Sequence, residues 1–123
     1  MISILPMPHP LLTQLCQELH IDTDAPVWGW TSSQGARLLG YTVIARAGDG
    51  PCRILALQAE DQEAADGLLR AALHPFFREG ARDYEFAAPP PMALPSAYSI
   101  AGLGSLKALF APCGQGEPTG LEE

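Results

Sequence analysis

The stretch LALQAEDQEAADGLLRAAL, residues 55–73, decides the fold, because an apolar run ends in a short acidic turn and leads directly into a helical pattern. The apolar run belongs to a predicted strand over 51–59. Asp61 is a favourable N-cap residue, so the helix is predicted to begin there. Its buried stripe is expected to contain Ala65, Leu68, Leu69, Ala72 and Phe76. A strand that ends at a helix N-terminus is a common framework for an anion or cofactor site.

Hydrophobic periodicity on the N-terminal side of this junction predicts a strand over 2–7, a helix over 10–20, and strands over 27–33 and 36–46. Short turn sequences separate the last two of these strands from each other and from the strand over 51–59. Strands joined by tight turns pair with their neighbours along the chain. The three are therefore expected to form an antiparallel meander.

Proline and glycine interrupt the pattern on the C-terminal side. Pro75 either kinks the predicted helix or ends it near His74, because an interior proline costs about 3 kcal/mol. Gly80 is expected to cap the helix C-terminus. The elements predicted beyond it are a strand over 82–88 and a short helix over 94–104, and residues 105–111 fit either one helical turn or an edge strand. This order of strands and helices is typical of an α+β arrangement.

Length and charge limit the classes of function. The 123 residues fit one domain, expected over 1–111 and followed by a flexible tail over 112–123 that is rich in Gly and Pro. A net charge of -7 argues against nucleic acid and against an anionic membrane surface as partners. No apolar run approaches the roughly 20 residues of a membrane span, and the N-terminus lacks the pattern of a signal peptide. A cytoplasmic location is therefore predicted.

The cysteines and histidines do not have the spacing of a metal site. Cys16, Cys52 and Cys113 are odd in number and far apart, which is typical of free thiols in a reducing compartment. The three histidines are equally scattered. No metal ligands are therefore predicted.

Two stretches, in this order of elements, resemble the GNAT family of acyl-CoA-dependent N-acyltransferases. In that family a turn of the form Arg/Gln-x-x-Gly-x-Gly/Ala follows the fourth strand and holds the CoA pyrophosphate. The corresponding segment here is QEAADG, in which Gln62 and Gly67 match and Ala65 stands in place of the middle glycine. The second stretch is YSIAGL, Tyr98 to Leu103, which is similar to the Tyr-x-x-x-Gly-Phe motif of the family.

The resemblance implies a GNAT-like α+β fold, with a mixed, mainly antiparallel sheet and helices on both faces. It also implies acetyl-CoA or another acyl-CoA as cofactor and a small-molecule or peptide amine as acceptor. By the same resemblance, Tyr98 protonates the departing thiolate. Glu60, at the strand end, is a candidate base for the amine. The residues expected to bind the cofactor are Leu57 and Ala59 along the pantetheine arm, and Gln62, Glu63, Ala64, Ala65, Asp66 and Gly67 at the pyrophosphate.

A second interpretation stays open, namely a non-catalytic GNAT-like binding or dimerisation module. Carboxylates at Glu60, Asp61, Glu63 and Asp66 would repel a pyrophosphate, and acidic residues near a helix N-terminus also have a purely stabilising role. The family usually adds two strands after the Tyr-Gly motif, but only about twenty residues follow it here. The sheet is expected to end early, with the strand over 82–88 at an exposed edge that a second copy could cover in a homodimer.

Overall fold

The computed structural model of the chain describes residues 2–21 and 23–110. Its strands are β1 (Ile2–Pro6), β2 (Val27–Gln34), β3 (Arg37–Ala45), β4 (Cys52–Gln58), β5 (Asp83–Phe86) and β6 (Gly104–Ser105). Its helices are α1 (His9–Glu18), α2 (Gln62–Arg78) and α3 (Leu106–Phe110). The α+β class is confirmed, and so is each strand and helix predicted before residue 80, with shifts of one or two residues at their ends. The predicted tail over 112–123 lies outside the described residues.

Within those residues the sheet has six strands in the order β1-β2-β3-β4-β5-β6. Neighbouring strands run antiparallel everywhere except between β4 and β5, which are parallel because α2 connects them as a crossover. The predicted meander is therefore confirmed as β2, β3 and β4. The sheet is mixed and mainly antiparallel, as predicted.

Helices cover both faces of the sheet. The larger core lies under α2, where the helix stripe packs on the inward residues of β2, β3 and β4, such as Trp30, Ile44 and Ile54. On the opposite face α1 contributes Leu12 to a smaller core with Met7 and Val43. Alternation along the strands produces both cores, because successive side chains point to opposite faces.

Local signals set the two ends of α2. The Asp61 carboxylate accepts a 2.8 Å hydrogen bond from Ala64 N, which confirms the predicted N-cap. At the other end Gly80 has φ +105°, and Ala81 N donates to Phe76 O at 2.9 Å, as in a Schellman motif. The helix does not end near His74 but continues through the proline at 75 to its last residue. The five predicted stripe residues are all buried.

The structure corrects the prediction for residues 94–104, which are not helical. They form a turn, in which Tyr98 N donates to Pro95 O at 3.0 Å, and then an irregular loop. Ser99 N donates instead to the hydroxyl of Tyr84 at 2.9 Å, so a donor that a helix would use is engaged with the sheet. Because Gly102, at φ +78°, also disfavours a continuing helix, this anchored loop is the preferred form.

The C-terminal part of the sheet also differs from expectation. The strand predicted over 82–88 is only four residues long, and it is not a free edge, because β6 pairs with it at Asp83 and Tyr84. Both alternatives predicted for residues 105–111 are found within 105–110, since Ser105 ends β6 and α3 begins at Leu106. Among the described residues, no helix is both long and apolar enough to cross a lipid bilayer.

Candidate functional site

The parallel pair β4–β5 opens into a cleft. Their pairing stops at Ile54 opposite Phe86, and Ala87 N then donates to Ile54 O at 3.0 Å. Beyond this point β5 has ended, and three prolines at 89–91 cannot donate ladder hydrogen bonds. The second half of β4, residues 55–58, therefore has β3 on one side and, within the described chain, no strand on the other.

A β-bulge lies at the same place. The register between β3 and β4 shifts between Val43 and Ile44, so that Leu55 has no partner of its own in β3. As a consequence Leu55 and Ala56 both pack toward the α1 side, whereas Ile54 and Leu57 face α2. Bulges bend a strand and re-aim its side chains, and they are frequent beside binding sites. Here the bulge marks the point at which the two strands separate.

The cleft between the separated strands encloses about 280 Å³. We call it the β4–β5 cleft, and its lining consists of Ile54, Leu55, Ala56, Leu57 and Gln58 from β4 together with Leu19, Tyr41, Phe86, Ala88, Pro89, Pro90 and Pro91. This size is near the lower end of small-molecule pockets, about 300–1,000 Å³. The walls are mainly apolar, and the polar groups in the lining are the β4 main chain and the side chains of Tyr41 and Gln58.

Tyr98 is buried and makes specific contacts with α2. Its side chain is 6% exposed, and its hydroxyl donates to Oδ1 of Asp66 at 2.8 Å. Arg70 Nε donates to the same carboxylate oxygen at 2.8 Å, and Arg70 Nη1 donates to Leu109 O at 2.7 Å. Burial, and then the hydrogen bond to Asp66, raise the pKa of Tyr98 well above its ordinary value. The hydroxyl thus stays protonated, and its proton is directed at Asp66.

A second pocket lies beside the N-terminus of α2, on the side that faces β1, β2 and β3. It encloses about 200 Å³. We call it the acidic pocket, and its lining consists of Ile2, Ile4, Ser32, Leu39, Glu60, Asp61, Glu63, Ala64 and Gly67. It shares no lining residue with the β4–β5 cleft. Gly67 opens directly onto free space, since a Cβ built on it would meet nothing within 4 Å.

The predicted catalytic pair is not gathered at the cleft. Neither Tyr98 nor Glu60 belongs to the cleft lining. Glu60 instead lines the acidic pocket, and its carboxylate forms a 2.7 Å ion pair with Arg37 across the end of β3. The acid and the base proposed from the sequence are thus found in different surroundings, one in the core and one at the surface.

The residues expected to bind a cofactor do not form one site. Leu57 lines the β4–β5 cleft, and Ala59 is buried in the core beyond it. Glu63, Ala64 and Gly67 line the acidic pocket. The remaining three are the exposed Gln62, the core residue Ala65, and Asp66, which binds Arg70 and Tyr98.

Sequence reasoning missed several residues of these sites. Tyr41 and Phe86 line the cleft, yet each occupies an ordinary alternating position in its strand, and only the pairing of β4 with β5 brings them together. Ser32 lies in the acidic pocket although it reads as a turn-proximal strand residue. The prolines at 89–91 follow the end of β5 and cannot extend its ladder, which leaves the cleft open.

Two of the three cysteines lie within the described residues, and both are free thiols. Burial raises the pKa of Cys16, and it raises the pKa of the fully buried Cys52 to about 11. Within residues 2–21 and 23–110, no three His, Cys, Asp or Glu side chains are grouped so that they could hold a metal ion. Comparison with protein-family models, curated proteins and solved structures finds no match for this chain.

Proposed function

We propose that this chain is a GNAT-like N-acyltransferase domain that takes the pantetheine arm of acetyl-CoA or another acyl-CoA in the β4–β5 cleft. The observation that carries the proposal is the separation of two parallel strands beside a bulge, which leaves the main chain of residues 55–58 without a strand on the β5 side. Main-chain N–H and C=O groups at an open strand edge need partners, and Ala56 O already has one, because it accepts a 2.7 Å hydrogen bond from Thr42 Oγ1. An extended ligand that bears amides supplies them as an added strand would.

The chemistry of the ligand fits the chemistry of the cleft. The pantetheine arm is narrow, extended and rich in amides, and the β4–β5 cleft combines an open strand edge with apolar walls from Tyr41, Phe86 and the prolines. The order of elements from β2 through α2 to β5 is also the order that the sequence resemblance implies, whereas the helix expected around Tyr98 is absent. These two features support both the proposed fold and the proposed binding of an acyl-CoA as the acyl donor.

The proposed reaction is direct transfer of the acyl group. The nitrogen of an amine attacks the thioester carbonyl, the C–S bond breaks, and an amide and a CoA thiolate result. Glu60 or a water takes the proton lost by the amine, and Tyr98 gives a proton to the thiolate. The raised pKa of Tyr98 makes that last transfer less favourable by about tenfold for each unit. An active enzyme of this kind would therefore gain little from Tyr98 unless the hydroxyl leaves Asp66.

The turn from Gln62 to Gly67 suits the CoA pyrophosphate less well than the β4–β5 cleft suits the pantetheine arm. In its favour are the positive end of α2 and the open face of Gly67. Against it, Ala64 N already donates a hydrogen bond to the Asp61 carboxylate, so it is not available to a phosphate, and Glu63 adds an exposed carboxylate. Like charges near an anion lower its affinity. CoA binding at this turn is accordingly expected to be weak and to depend on salt.

A second candidate is a GNAT-like binding or dimerisation module that does not transfer acyl groups. The observation that favours it is the engagement of Tyr98 with Asp66, together with the position of Glu60 outside the cleft lining. On this alternative the cleft binds its ligand but holds no group for proton transfer. Measurements of binding and of turnover on the same protein distinguish the two candidates.

The test is a calorimetric titration of acetyl-CoA, CoA and pantetheine into the protein. Binding is expected for all three, and it should be lost in Ala88→Trp, because Ala88 is exposed and lines the cleft. Ala87→Trp is the matched control, since Ala87 is its exposed neighbour outside the lining. No binding of any of the three at millimolar concentration would overturn the proposal. Binding without acyl transfer to any amine of a broad panel would favour the module.

A further inference from the structure

We propose that the acidic pocket is a site for a small organic primary ammonium with a short alkyl chain. This inference goes beyond the acyltransferase proposal, because the acidic pocket and the β4–β5 cleft have no residue in common. The two proposals do overlap at Glu60, Glu63, Ala64 and Gly67, where the acyltransferase proposal has its base and its pyrophosphate turn. Four observations carry the inference: the charge at the rim, the apolar walls, the size, and a buried hydroxyl without a partner.

The rim carries an excess of negative charge. Glu60, Asp61 and Glu63 all line the pocket, and among the described residues only Glu60 of the three forms an ion pair, at 2.7 Å with Arg37. The Asp61 carboxylate accepts a hydrogen bond from Ala64 N. Glu63 forms no ion pair within the described chain. The positive end of α2 offsets about half a charge, so the rim remains attractive to a cation.

The walls behind the rim are apolar. Ile4 packs against the main core from β1, and Ile2 and Leu39 complete the wall at the sheet. A bare metal ion or an ammonium ion would leave this surface unused. An alkyl chain attached to the ammonium covers it, and the burial of that apolar surface favours binding. The enclosed volume of about 200 Å³ restricts the ligand to a small amine.

Ser32 is the observation that points to a ligand most directly. Its side chain lies on the same face of β2 as Trp30, toward α2, and lines the pocket. Ser32 is only 4% exposed, and its hydroxyl has no hydrogen-bond partner within residues 2–21 and 23–110. A buried hydroxyl without a partner is costly, and a donor in the pocket would satisfy it. An ammonium group has three donors, which suits one hydroxyl and two carboxylates.

The test uses n-butylammonium as the probe in a titration followed by ¹H–¹⁵N correlation spectra of the full chain. The probe should shift the amide signals of Ser32, Leu39, Ala64 and Gly67 and leave those of the β4–β5 cleft unchanged. Butyrate, which has the same chain and the opposite charge, should shift none of them. Butanol, which is neutral, should bind at least about fivefold more weakly than the ammonium.

Two variants separate a site from a general electrostatic attraction. Glu63→Gln should weaken butylammonium binding about fivefold, because it removes a negative charge, and Ser32→Ala about threefold, because it removes a hydrogen-bond acceptor. Glu79→Gln removes an exposed carboxylate at the other end of α2 and should change nothing. Equal binding of butylammonium and butanol, equal effects of all three variants, or signal shifts spread over the whole surface would each overturn the proposal. Loss of CoA binding with ammonium binding retained would overturn only the acyltransferase proposal.

Discussion

Tyr98 and Arg70 converge on one oxygen of Asp66, each through a 2.8 Å hydrogen bond. The arrangement joins the loop after β5 to the second turn of α2, and Arg70 continues it to the main chain of α3 through Leu109. Residues far apart in the sequence are thus held by one partly buried carboxylate. A charged acceptor strengthens such hydrogen bonds. We therefore interpret Tyr98 first as a residue that anchors the C-terminal part of the fold.

Tyr98→Phe is expected to lower the free energy of unfolding by about 1–3 kcal/mol, because it removes a hydrogen bond to a charged acceptor in a buried position. Urea denaturation followed by fluorescence measures the change. Tyr41→Phe is the control, since the hydroxyl of Tyr41 makes no hydrogen bond within the described chain. A loss below about 0.5 kcal/mol for Tyr98→Phe would contradict the anchoring role.

The same variant also tests catalysis. If Tyr98 protonates the CoA thiolate, Tyr98→Phe should lower kcat by about 10²-fold or more and leave the affinity for CoA nearly unchanged. An unaltered rate in a protein that is active would show that Tyr98 is not the acid. Because stability and turnover are measured separately, a structural effect cannot be mistaken for a catalytic one.

The elements that local signals define were predictable from the sequence. Asp61 at the N-cap, Gly80 at the C-terminus and an apolar stripe between them fixed α2, and turn residues at tight spacing fixed the meander. Such features depend on neighbours within a few residues, so one sequence is enough to recognise them.

Features that depend on tertiary contacts were not predictable. The segment around Tyr98 has helix-like spacing, but its conformation depends on hydrogen bonds to Tyr84 and Asp66, which lie far away in the sequence. The β4–β5 cleft depends on where two strands stop pairing, and β6 on a pair of residues too short to form a pattern. The site residues were therefore named from the α2 junction and the segment around Tyr98, and most of the cleft wall was missed.

Two glycines should respond to alanine substitution in opposite ways. In Gly104→Ala the new Cβ would overlap the ring of Tyr84, which is itself fully buried, so a loss of about 1–3 kcal/mol in stability is expected. Gly67→Ala adds a methyl group to the exposed face of α2 with nothing within 4 Å, and it should stabilise the protein by about 0.5–1 kcal/mol. Thermal and urea denaturation of both variants measure the difference. A stabilised Gly104→Ala would contradict the described packing of β6 on β5.

Alkaline pH should reduce stability through Cys52. Burial raises the pKa of this thiol from 9.0 to about 11, so the folded state keeps a proton that the unfolded state releases. The stability that the protonated Cys52 thiol contributes is fully present below about pH 9, and it is lost as the pH rises to about 11. At pH 10.5 the loss is expected to be about 1–2 kcal/mol. In Cys52→Ala the cavity lowers stability at every pH, but this part of the pH dependence should be absent. Parallel curves for both proteins would contradict the prediction.

Glu63→Gln should change the affinities for an anion and for a cation in opposite directions. Glu63 is exposed in the first turn of α2, close to the turn expected to hold the CoA pyrophosphate, and it also lines the acidic pocket. Glu63→Gln removes a negative charge that repels the CoA pyrophosphate. The affinity of the protein for CoA should therefore rise about two- to fivefold at low salt. The same change should weaken butylammonium, as argued above.

Calorimetric titrations of CoA and of butylammonium into wild type and Glu63→Gln, at low and at moderate salt, measure both effects. The rise for CoA should shrink as salt screens the charges, because the carboxylate is exposed to solvent. Glu79→Gln at the other end of α2 keeps the same net charge as Glu63→Gln, so it shows how much of either effect comes from total charge. If the affinities for both ligands change in the same direction, the charge of Glu63 does not determine them. If CoA affinity is unchanged, the pyrophosphate does not lie at this turn.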